Sequence, residues 1–416
     1  MIGETFHKQL EAVYDTLPAD RFRKMGWNRF KELGLPTKKN EVYRYIKLRS
    51  LYGLEPQQSE RVVTDEDLTA YILDECQESC LVFVNGHYQP ALSKTDALPS
   101  KVTVLELKEA IKTFGAFLSN HWTKTLGDET DPFVALNTAL QESGAFLYLP
   151  PQTKVEAPIQ ILHVVTNSLS SPRVQCFVGA RSELTMVSSH VVLRDTSYGI
   201  NHVTDLHCEE GAQVKLYQTT FGEMSQGWHL EATRATLKKE AHLESIKMTP
   251  GSQTTRYDYK IHLLGENCEA SLNSLNLLRD KREAHDNVLI HHHEPSCQSN
   301  QLFKSVLFDH GHSSFEGKIY VEQEAQQTLA YQLNANLLLS DNARAESKPN
   351  LEIFADDVRA SHGATFGQLE EEEVFYLKTR GLSDDVAKNM LIAGFCDEVL
   401  GKVSLSSLKT HYTSRL

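Results

Sequence analysis

Long apolar runs are missing from this 416-residue sequence, and so is the pattern of a secretory leader. No stretch of about 18 consecutive apolar residues occurs, so a membrane-spanning helix is not expected. The segment from Met1 to Tyr14 mixes charged and apolar side chains and lacks the apolar centre of a signal peptide. These absences predict a cytoplasmic protein that makes no contact with a membrane.

An excess of basic residues is also lacking. The 42 Lys and Arg residues are outnumbered by 55 Asp and Glu residues, which gives a formal net charge of −13. Proteins that bind nucleic acid broadly neutralise phosphates with a positive face, so nucleic acid is not an expected partner. The length predicts roughly two or three structural units rather than one small core.

Cysteine is sparse, with seven residues scattered along the chain. An odd number in a chain of this size does not predict a disulfide framework. Cys76 and Cys80 would share one face of a helix. No second Cys/His pair follows them, whereas a closed zinc site needs four ligands. Buried or bystander thiols are therefore favoured over a metal site.

Signatures of the common enzyme classes are absent too. The chain has no G-x-x-x-x-G-K-[ST] loop and no G-x-G-x-x-G after a strand, so we expect no nucleotide on this chain. It has no G-x-S-x-G elbow. The only approach to H-E-x-x-H is His293-Glu294, and Pro295 would break the helix that this motif requires. An enzyme of these classes is not expected.

The pattern that is present divides the chain into three segments. Residues 1–150 form a predicted helical domain with short strands, and residues 105–148 show helical periodicity that includes a helix from Pro132 to Gln141. The segment 81–84 reads as a strand. An amphipathic helix is indicated by apolar side chains at spacings of three to five, namely Phe22, Met25, Phe30 and Leu33.

Residues 151–365 change to short strands with few helical patterns between them. Phe315, Gly317, Ile319 and Val321 alternate with polar or charged neighbours, as on a strand with one buried face. Loose repeats start about 30 residues apart, with 210–216 similar to 240–246 and to 265–272. Alone, the periodicity favours an all-β, stacked structure and leaves a sandwich open beside a solenoid.

Residues 366–416 return to helical patterning. Ser383 is a suitable N-cap, and the two aspartates after it favour the helix dipole. An apolar stripe follows, made of Val386, Met390, Leu391, Phe395, Val399 and Leu400. Two helices make a poor core on their own, so we expect them to dock on the β body or on a partner.

The eighteen histidines raise the question of a metal site. Neighbouring side chains of a strand point to opposite faces, so among His291, His292 and His293 at most the first and third could share an ion. His310 and His312 would also share a face if they were extended. Polar outer faces of strands are favoured over a catalytic metal site, which would need a further convergent ligand.

The most unusual stretch lies where the strands give way to the C-terminal helices. Its motifs are Asp356-Asp357-Val358, Ser361-His362-Gly363-Ala364-Thr365, Gln368-Leu369, Phe375-Tyr376-Leu377 and Arg380-Gly381. In this order they resemble the hallmark of the SufB/SufD family of iron–sulfur cluster assembly proteins. Further similarity to the family is carried by Asp131 to Asn137, Pro158-Ile159 and Pro349 to Ile353, and Trp27 with the run from Leu33 to Lys38 resembles the N-terminal segment of the SufD branch.

The resemblance implies a right-handed parallel β-helix, residues 151–365, between an N-terminal and a C-terminal helical domain. It implies a non-catalytic scaffold that pairs with a SufB-like subunit through the β-helix. A SufC-like ATPase would dock on residues 366–416, with Phe375, Tyr376, Arg380 and Gly381 in the docking segment. An iron–sulfur cluster would be held transiently and only in the complex.

The resemblance also assigns a role to one residue. His362 corresponds to the histidine that binds cluster or metal at the interface with the SufB-like partner, opposite a partner cysteine. Many family members carry a cysteine two residues earlier, where this chain has Ala360. Three rival interpretations stay open: a SufB-like main scaffold, a β-helix carbohydrate-active enzyme, and a homodimeric interaction protein without metal.

Overall fold

The computed structural model describes residues 2–141, 144–194, 196–222 and 226–416. Within these residues, no helix is long and apolar enough to cross a bilayer. The α-helices are α1 (Ile2–Thr16), α2 (Arg21–Leu33), α3 (Leu48–Leu51), α4 (Asp65–Leu68), α5 (Leu107–Gly127), α6 (Pro132–Leu140), α7 (Glu371–Thr379), α8 (Asp384–Leu400) and α9 (Ser406–Thr413).

Three short strands lie between α4 and α5, and the remaining strands occupy most of the chain between α6 and α7. They are β1 (Cys80–Val84), β2 (His87–Tyr88), β3 (Thr103–Glu106), β4 (Ala145–Leu149), β5 (Ile159–Val165), β6 (Leu169–Ser170), β7 (Arg173–Val178), β8 (Glu183–Val192), β9 (Tyr198–Cys208), β10 (Gln213–Phe221), β11 (Gly227–Leu237), β12 (His242–Thr249), β13 (Thr254–Leu263), β14 (Glu269–Leu278), β15 (Glu283–His292), β16 (Gln298–Leu307), β17 (His312–Val321), β18 (Thr328–Leu338), β19 (Arg344–Ile353) and β20 (Val358–Gly367).

Successive strands alternate between two parallel sheets. The first sheet has the order β2-β1-β5-β8-β10-β12-β14-β16-β18-β20, and the second has β19-β17-β15-β13-β11-β9-β7-β4-β3, with β6 beside β9. The described pairs are parallel apart from β1 with β2 and β3 with β4. A chain that visits the two sheets in turn winds into coils, so the predicted parallel β-helix is confirmed.

Alternation along each strand explains why the coils stack. In β17, every second residue from Ser313 to Val321 is buried, as the sequence predicted. The inward residues of consecutive coils fill one continuous apolar core, which includes Leu184, Leu216, Leu243 and Leu272. A single coil could not bury this face alone, so stability depends on contact with its neighbours.

The loose repeats mark neighbouring coils, but their true alignment is shifted by one residue. In the structure Val214 of β10 pairs with Leu243 of β12, and Leu243 pairs with Ala270 of β14. The sequence similarity had placed Val214 opposite Glu244. Since a slip of one residue moves a side chain to the other face of a strand, burial rather than similarity sets the register.

The helical interpretation of residues 105–148 is wrong at both ends. Helices α5 and α6 lie where the periodicity indicated, but Leu105 and Glu106 end strand β3, and 145–148 lie in strand β4. The β4 sequence Ala-Phe-Leu-Tyr-Leu is almost entirely buried and starts the second sheet by pairing with β7. A short apolar run of this kind does not reveal by periodicity whether it is helix or strand.

The C-terminal helices lie on the outer face of the first sheet. Helix α8 contacts β14 and β16, and its buried residues Ile392, Cys396 and Val399 share an apolar cluster with residues of these strands. The Tyr412 hydroxyl of α9 donates to the Met248 carbonyl, at 2.6 Å. The predicted apolar stripe of α8 is only partly buried, because Val386 and Met390 are exposed.

Candidate functional site

The β-helix ends in an open coil. Strands β19 and β20 are the last strands of their two sheets, and each pairs with one neighbour, β17 and β18 respectively. Within the described part of the chain, no strand hydrogen-bonds to their outer edges. An uncovered strand edge offers unpaired N–H and C=O groups to another strand. We call the surface formed by β19 and β20 the end face.

His362 lies in the middle of β20. It is in register with Gln332 of β18, whose side chain is buried inside the β-helix. Partners in a parallel pair project to the same side, so the imidazole also points towards the interior axis. No further coil covers it, and His362 is exposed at the open end. Its predicted role as cluster or metal ligand stays a prediction.

Large apolar side chains are exposed on the last coil and on the strand beside it. Phe366 on β20 is 51% exposed, and Phe354, in the turn between β19 and β20, is 57% exposed. Tyr331 and Leu333 of β18, the strand that pairs with β20, are exposed as well. Exposed apolar side chains that cluster at an uncovered sheet edge are typical of an interface with another protein.

The thiols of this chain do not reach the end face. All seven cysteines lie in the described part of the chain and all are buried. Burial raises the pKa of Cys76, of Cys80 and of Cys396 to about 12 in each case, which disfavours the thiolate that binds iron. Ala360 supplies no ligand either. At the end face this chain can therefore offer an imidazole, whereas thiolate ligands would have to come from another chain.

The predicted docking segment is exposed on the C-terminal helices. Phe375 and Tyr376 of α7 are 69% and 56% exposed. The Arg380 guanidinium lies 5.1 Å from the centre of the Tyr376 ring and donates to its hydroxyl at 3.1 Å. Gly381 has a φ of +92°, a conformation that favours glycine, and it turns the chain between α7 and α8. The role of these four residues in docking stays a prediction.

The consecutive histidines are partly engaged with one another. His291 and His293 share a face, as predicted, and their ring centres are 3.7 Å apart. The Nδ1 atom of His262, from the preceding coil, hydrogen-bonds with Nε2 of His293 at 2.9 Å. His292 points inward and hydrogen-bonds with Ser299. Sequence reasoning missed His262, although its position about one coil earlier was a usable signal.

The second histidine pair does not form. His310 lies in the turn before β17 rather than in an extended segment, so it does not share a face with His312. His312 instead contacts the carboxylates of Glu283 and Glu346. Burial opposes the charged form, but hydrogen bonds to these two carboxylates raise the pKa of His312 to about 9. This arrangement ties neighbouring coils together by charge.

Comparison with known proteins agrees with the fold and motifs. Residues 162–395 match the family described as SUF system FeS cluster assembly, SufBD core domain, and residues 6–161 match the SufBD protein N-terminal region. A SufBD family protein of Synechocystis is 31% identical over 395 residues, covering 91% of this chain and 86% of the relative. The SufD protein of Escherichia coli is 26% identical over 400 residues, covering 92% and 89%.

Proposed function

Because the chain belongs to the SufBD family of iron–sulfur cluster assembly proteins, we propose that it is the SufD-like scaffold subunit of a cytoplasmic SufBCD complex. The iron–sulfur cluster is the cargo of this complex, held transiently, and the chain is not an enzyme by itself. ATP binding and hydrolysis belong to a SufC-like ATPase. The observation that carries the proposal is the open last coil, where His362 is exposed on β20 and no described strand pairs with the outer edges of β19 and β20.

The SufB-like partner pairs with the end face. Backbone groups of β19 and β20 are available for strand addition, which gives affinity through main-chain hydrogen bonds. The exposed rings of Phe354 and Phe366 add apolar area around these edges. In the absence of the partner, the same edges would support a homodimer of the isolated chain.

At this interface His362 acts as a nitrogen ligand for iron. A neutral imidazole suits iron, and a cysteine of the SufB-like subunit supplies the softer thiolate. The buried thiols and Ala360 support the proposal that this chain does not assemble the cluster alone, unlike a SufB-like main scaffold. The ligand set is complete only when the two subunits meet.

The SufC-like ATPase docks on the C-terminal helices. Phe375 and Tyr376 project from α7 with most of their surface exposed, and Met390 of α8 is 58% exposed. The other side of α8 is fixed to the β-helix by buried contacts with β14 and β16. Motion of a bound ATPase would therefore be transmitted to the β body through a packed helix rather than through a flexible linker.

The test uses the complex of this chain with the SufB-like and SufC-like proteins of the same organism. His362→Ala is compared with His310→Ala, which removes another exposed histidine that lies outside β19 and β20. After anaerobic reconstitution, iron and sulfide are measured per complex. We expect His362→Ala to leave complex assembly intact and to lower cluster content, and His310→Ala to change neither.

Other outcomes would reject parts of the proposal. Equal cluster content in both variants would remove His362 from the ligand set, and loss of assembly in His362→Ala would make it structural. A stable, stoichiometric cluster on the isolated chain would favour the SufB-like scaffold. Turnover of a polysaccharide by the isolated chain would instead favour the carbohydrate-active enzyme.

A further inference from the structure

A second group of histidines lies inside the β-helix, in coils far from the end face. His163 of β5 and His190 of β8 come from the first sheet, and His202 of β9 and His229 of β11 come from the second. Glu231, also of β11, is in register with His202. Each of the five is at most 2% exposed. We call this group the interior histidine cluster.

The side chains of the cluster converge. The ring centre of His190 lies 4.9 Å from that of His163, 4.8 Å from that of His202 and 4.7 Å from that of His229. An oxygen of Glu231 lies 3.1 Å from Nε2 of His229 and 3.9 Å from Nδ1 of His190. The potential ligand atoms form two sets, His163 with His190 and His202, and His190 with His229 and Glu231, and the atoms within each set lie within 4.8 Å of one another.

Most of these polar atoms have no hydrogen-bond partner among the described residues. This holds for both ring nitrogens of His163, His190 and His229, for Nδ1 of His202 and for Oε2 of Glu231. A buried polar group without a partner destabilises the folded state, so several such groups together would be costly if nothing occupied the cluster. A bound ion would satisfy several of these atoms at once.

The chemical state of the rings suits a metal. Burial and the neighbouring His229 lower the pKa of His163 to about 3, and burial also holds the pKa of His190 and His202 far below the usual range. The lowered pKa values keep these three rings in the neutral form, which has a free lone pair and is the form in which histidine binds metals. Glu231 is oriented by Gln218, whose amide donates to its other oxygen at 2.6 Å.

We propose that the interior histidine cluster binds one divalent first-row transition ion, such as Fe²⁺ or Zn²⁺, through His190, His229 and Glu231. Two histidines and one carboxylate with open positions are a usual ligand set for such ions. Ligand atoms about 2.0–2.1 Å from one ion lie about 2.9–3.4 Å apart, so the 3.1 Å separation between His229 and Glu231 fits and the 3.9 Å separation to His190 needs a small movement.

The proposal does not depend on the partner interfaces. The cluster occupies coils formed by β5, β8, β9 and β11, whereas His362 lies on β20 at the open end. A structural stack of histidines is the alternative, and His292 shows what that looks like: it is buried in the same interior, and one ring nitrogen hydrogen-bonds with Ser299 at 2.9 Å. In the cluster, by contrast, both ring nitrogens of His163, His190 and His229 lack a hydrogen-bond partner among the described residues, whereas His292 lacks one at Nδ1 alone.

The test measures metal bound to the full chain, prepared without an oligohistidine tag. The chain is refolded with Zn²⁺, with Co²⁺, or anaerobically with Fe²⁺, and metal is counted after gel filtration in the presence of a mild chelator. Visible absorption of the Co²⁺ form reports ligand geometry directly. We expect one retained ion per chain, a Co²⁺ spectrum with nitrogen ligands, and a higher melting temperature than for the metal-free chain.

Substitution of single histidines shows which side chains hold the ion. His190→Gln and His229→Gln should each weaken retention at least tenfold, since changes even outside the first ligands cost roughly 10–100-fold in affinity. His292→Gln, a matched buried histidine, and His291→Gln, from the surface group, should retain the ion. Two ligand variants are used so that the test still holds if one of them misfolds. Circular dichroism shows which variants are folded.

Each remaining result would overturn the proposal. Failure of the wild-type chain to retain any of the three ions would do so, as would full retention by folded His190→Gln and His229→Gln. Loss in His291→Gln alone would place the ion at the surface histidines. An equal loss in His292→Gln would mean that retention follows general stability of the interior rather than ligation.

Discussion

Phe366→Ser tests whether the end face is the surface that receives the SufB-like subunit. Phe366 lies on the last strand and is 51% exposed, so its removal leaves most of the packing within this chain unchanged. We expect the free energy of unfolding to fall by about 1 kcal/mol or less, as for most surface substitutions. The free energy of binding to the SufB-like subunit should fall by more than the free energy of unfolding.

The size of the binding loss follows from the exposed area. A phenylalanine buries about 150–250 Å² when fully enclosed, so roughly 100 Å² of this side chain remains for the partner to cover. At about 25 cal/mol per Å², covering that area contributes up to about 2.5 kcal/mol. The corresponding loss of affinity is roughly 60-fold. Isothermal titration calorimetry with the purified SufB-like subunit measures it.

Phe117→Ser is the matched control. Phe117 lies on α5 and is 53% exposed, nearly the same as Phe366, but it is far along the chain from the end face. We expect its removal to leave the affinity for the SufB-like subunit unchanged. Equal affinities for the two variants, or a loss caused by Phe117→Ser alone, would refute the assignment of the end face.

Two further predictions concern other parts of the chain. The double change Phe375→Ser, Tyr376→Ser should abolish binding of the SufC-like ATPase in a pull-down and leave the melting temperature unchanged, whereas Val62→Ser, which alters an 82% exposed residue elsewhere, should leave binding intact. His312 has a folded-state pKa of about 9 against an ordinary 6.5, so it stabilises the fold below about pH 6.5 and loses this effect as pH rises through about 9. We therefore expect the free energy of unfolding in urea to fall between pH 6 and pH 10 by up to about 3 kcal/mol more in the wild type than in His312→Gln. Equal decreases in the two proteins would contradict this.

Much of the fold was accessible from the sequence because one coil repeats one pattern. The alternation in β17 and the loose repeats followed directly from the need to bury one face of each strand. The register was not accessible, since similarity aligned Val214 one residue away from its true partner Leu243. Strand β4 was missed because both of its faces are largely buried, so its apolar residues do not alternate with polar ones.

The site was predicted unevenly for a related reason. His362 stood out because its neighbours form a recognisable motif, although sequence alone could not place it on an uncovered coil. The interior histidine cluster has no local motif. His163 and His190 are separated by about one coil, as are His202 and His229, and only the stacking of coils brings the four rings together. Such a site becomes visible once the register is known.

The central claim is that the SufB-like subunit adds to the open strand edges around His362. Hydrogen–deuterium exchange of this chain, alone and with the partner bound, measures it most directly, because main-chain pairing slows exchange of the amides involved. The account predicts strong new protection in β19 and β20, with little change in β10 to β14. Unchanged exchange across residues 344–367 in a fully formed complex would contradict it.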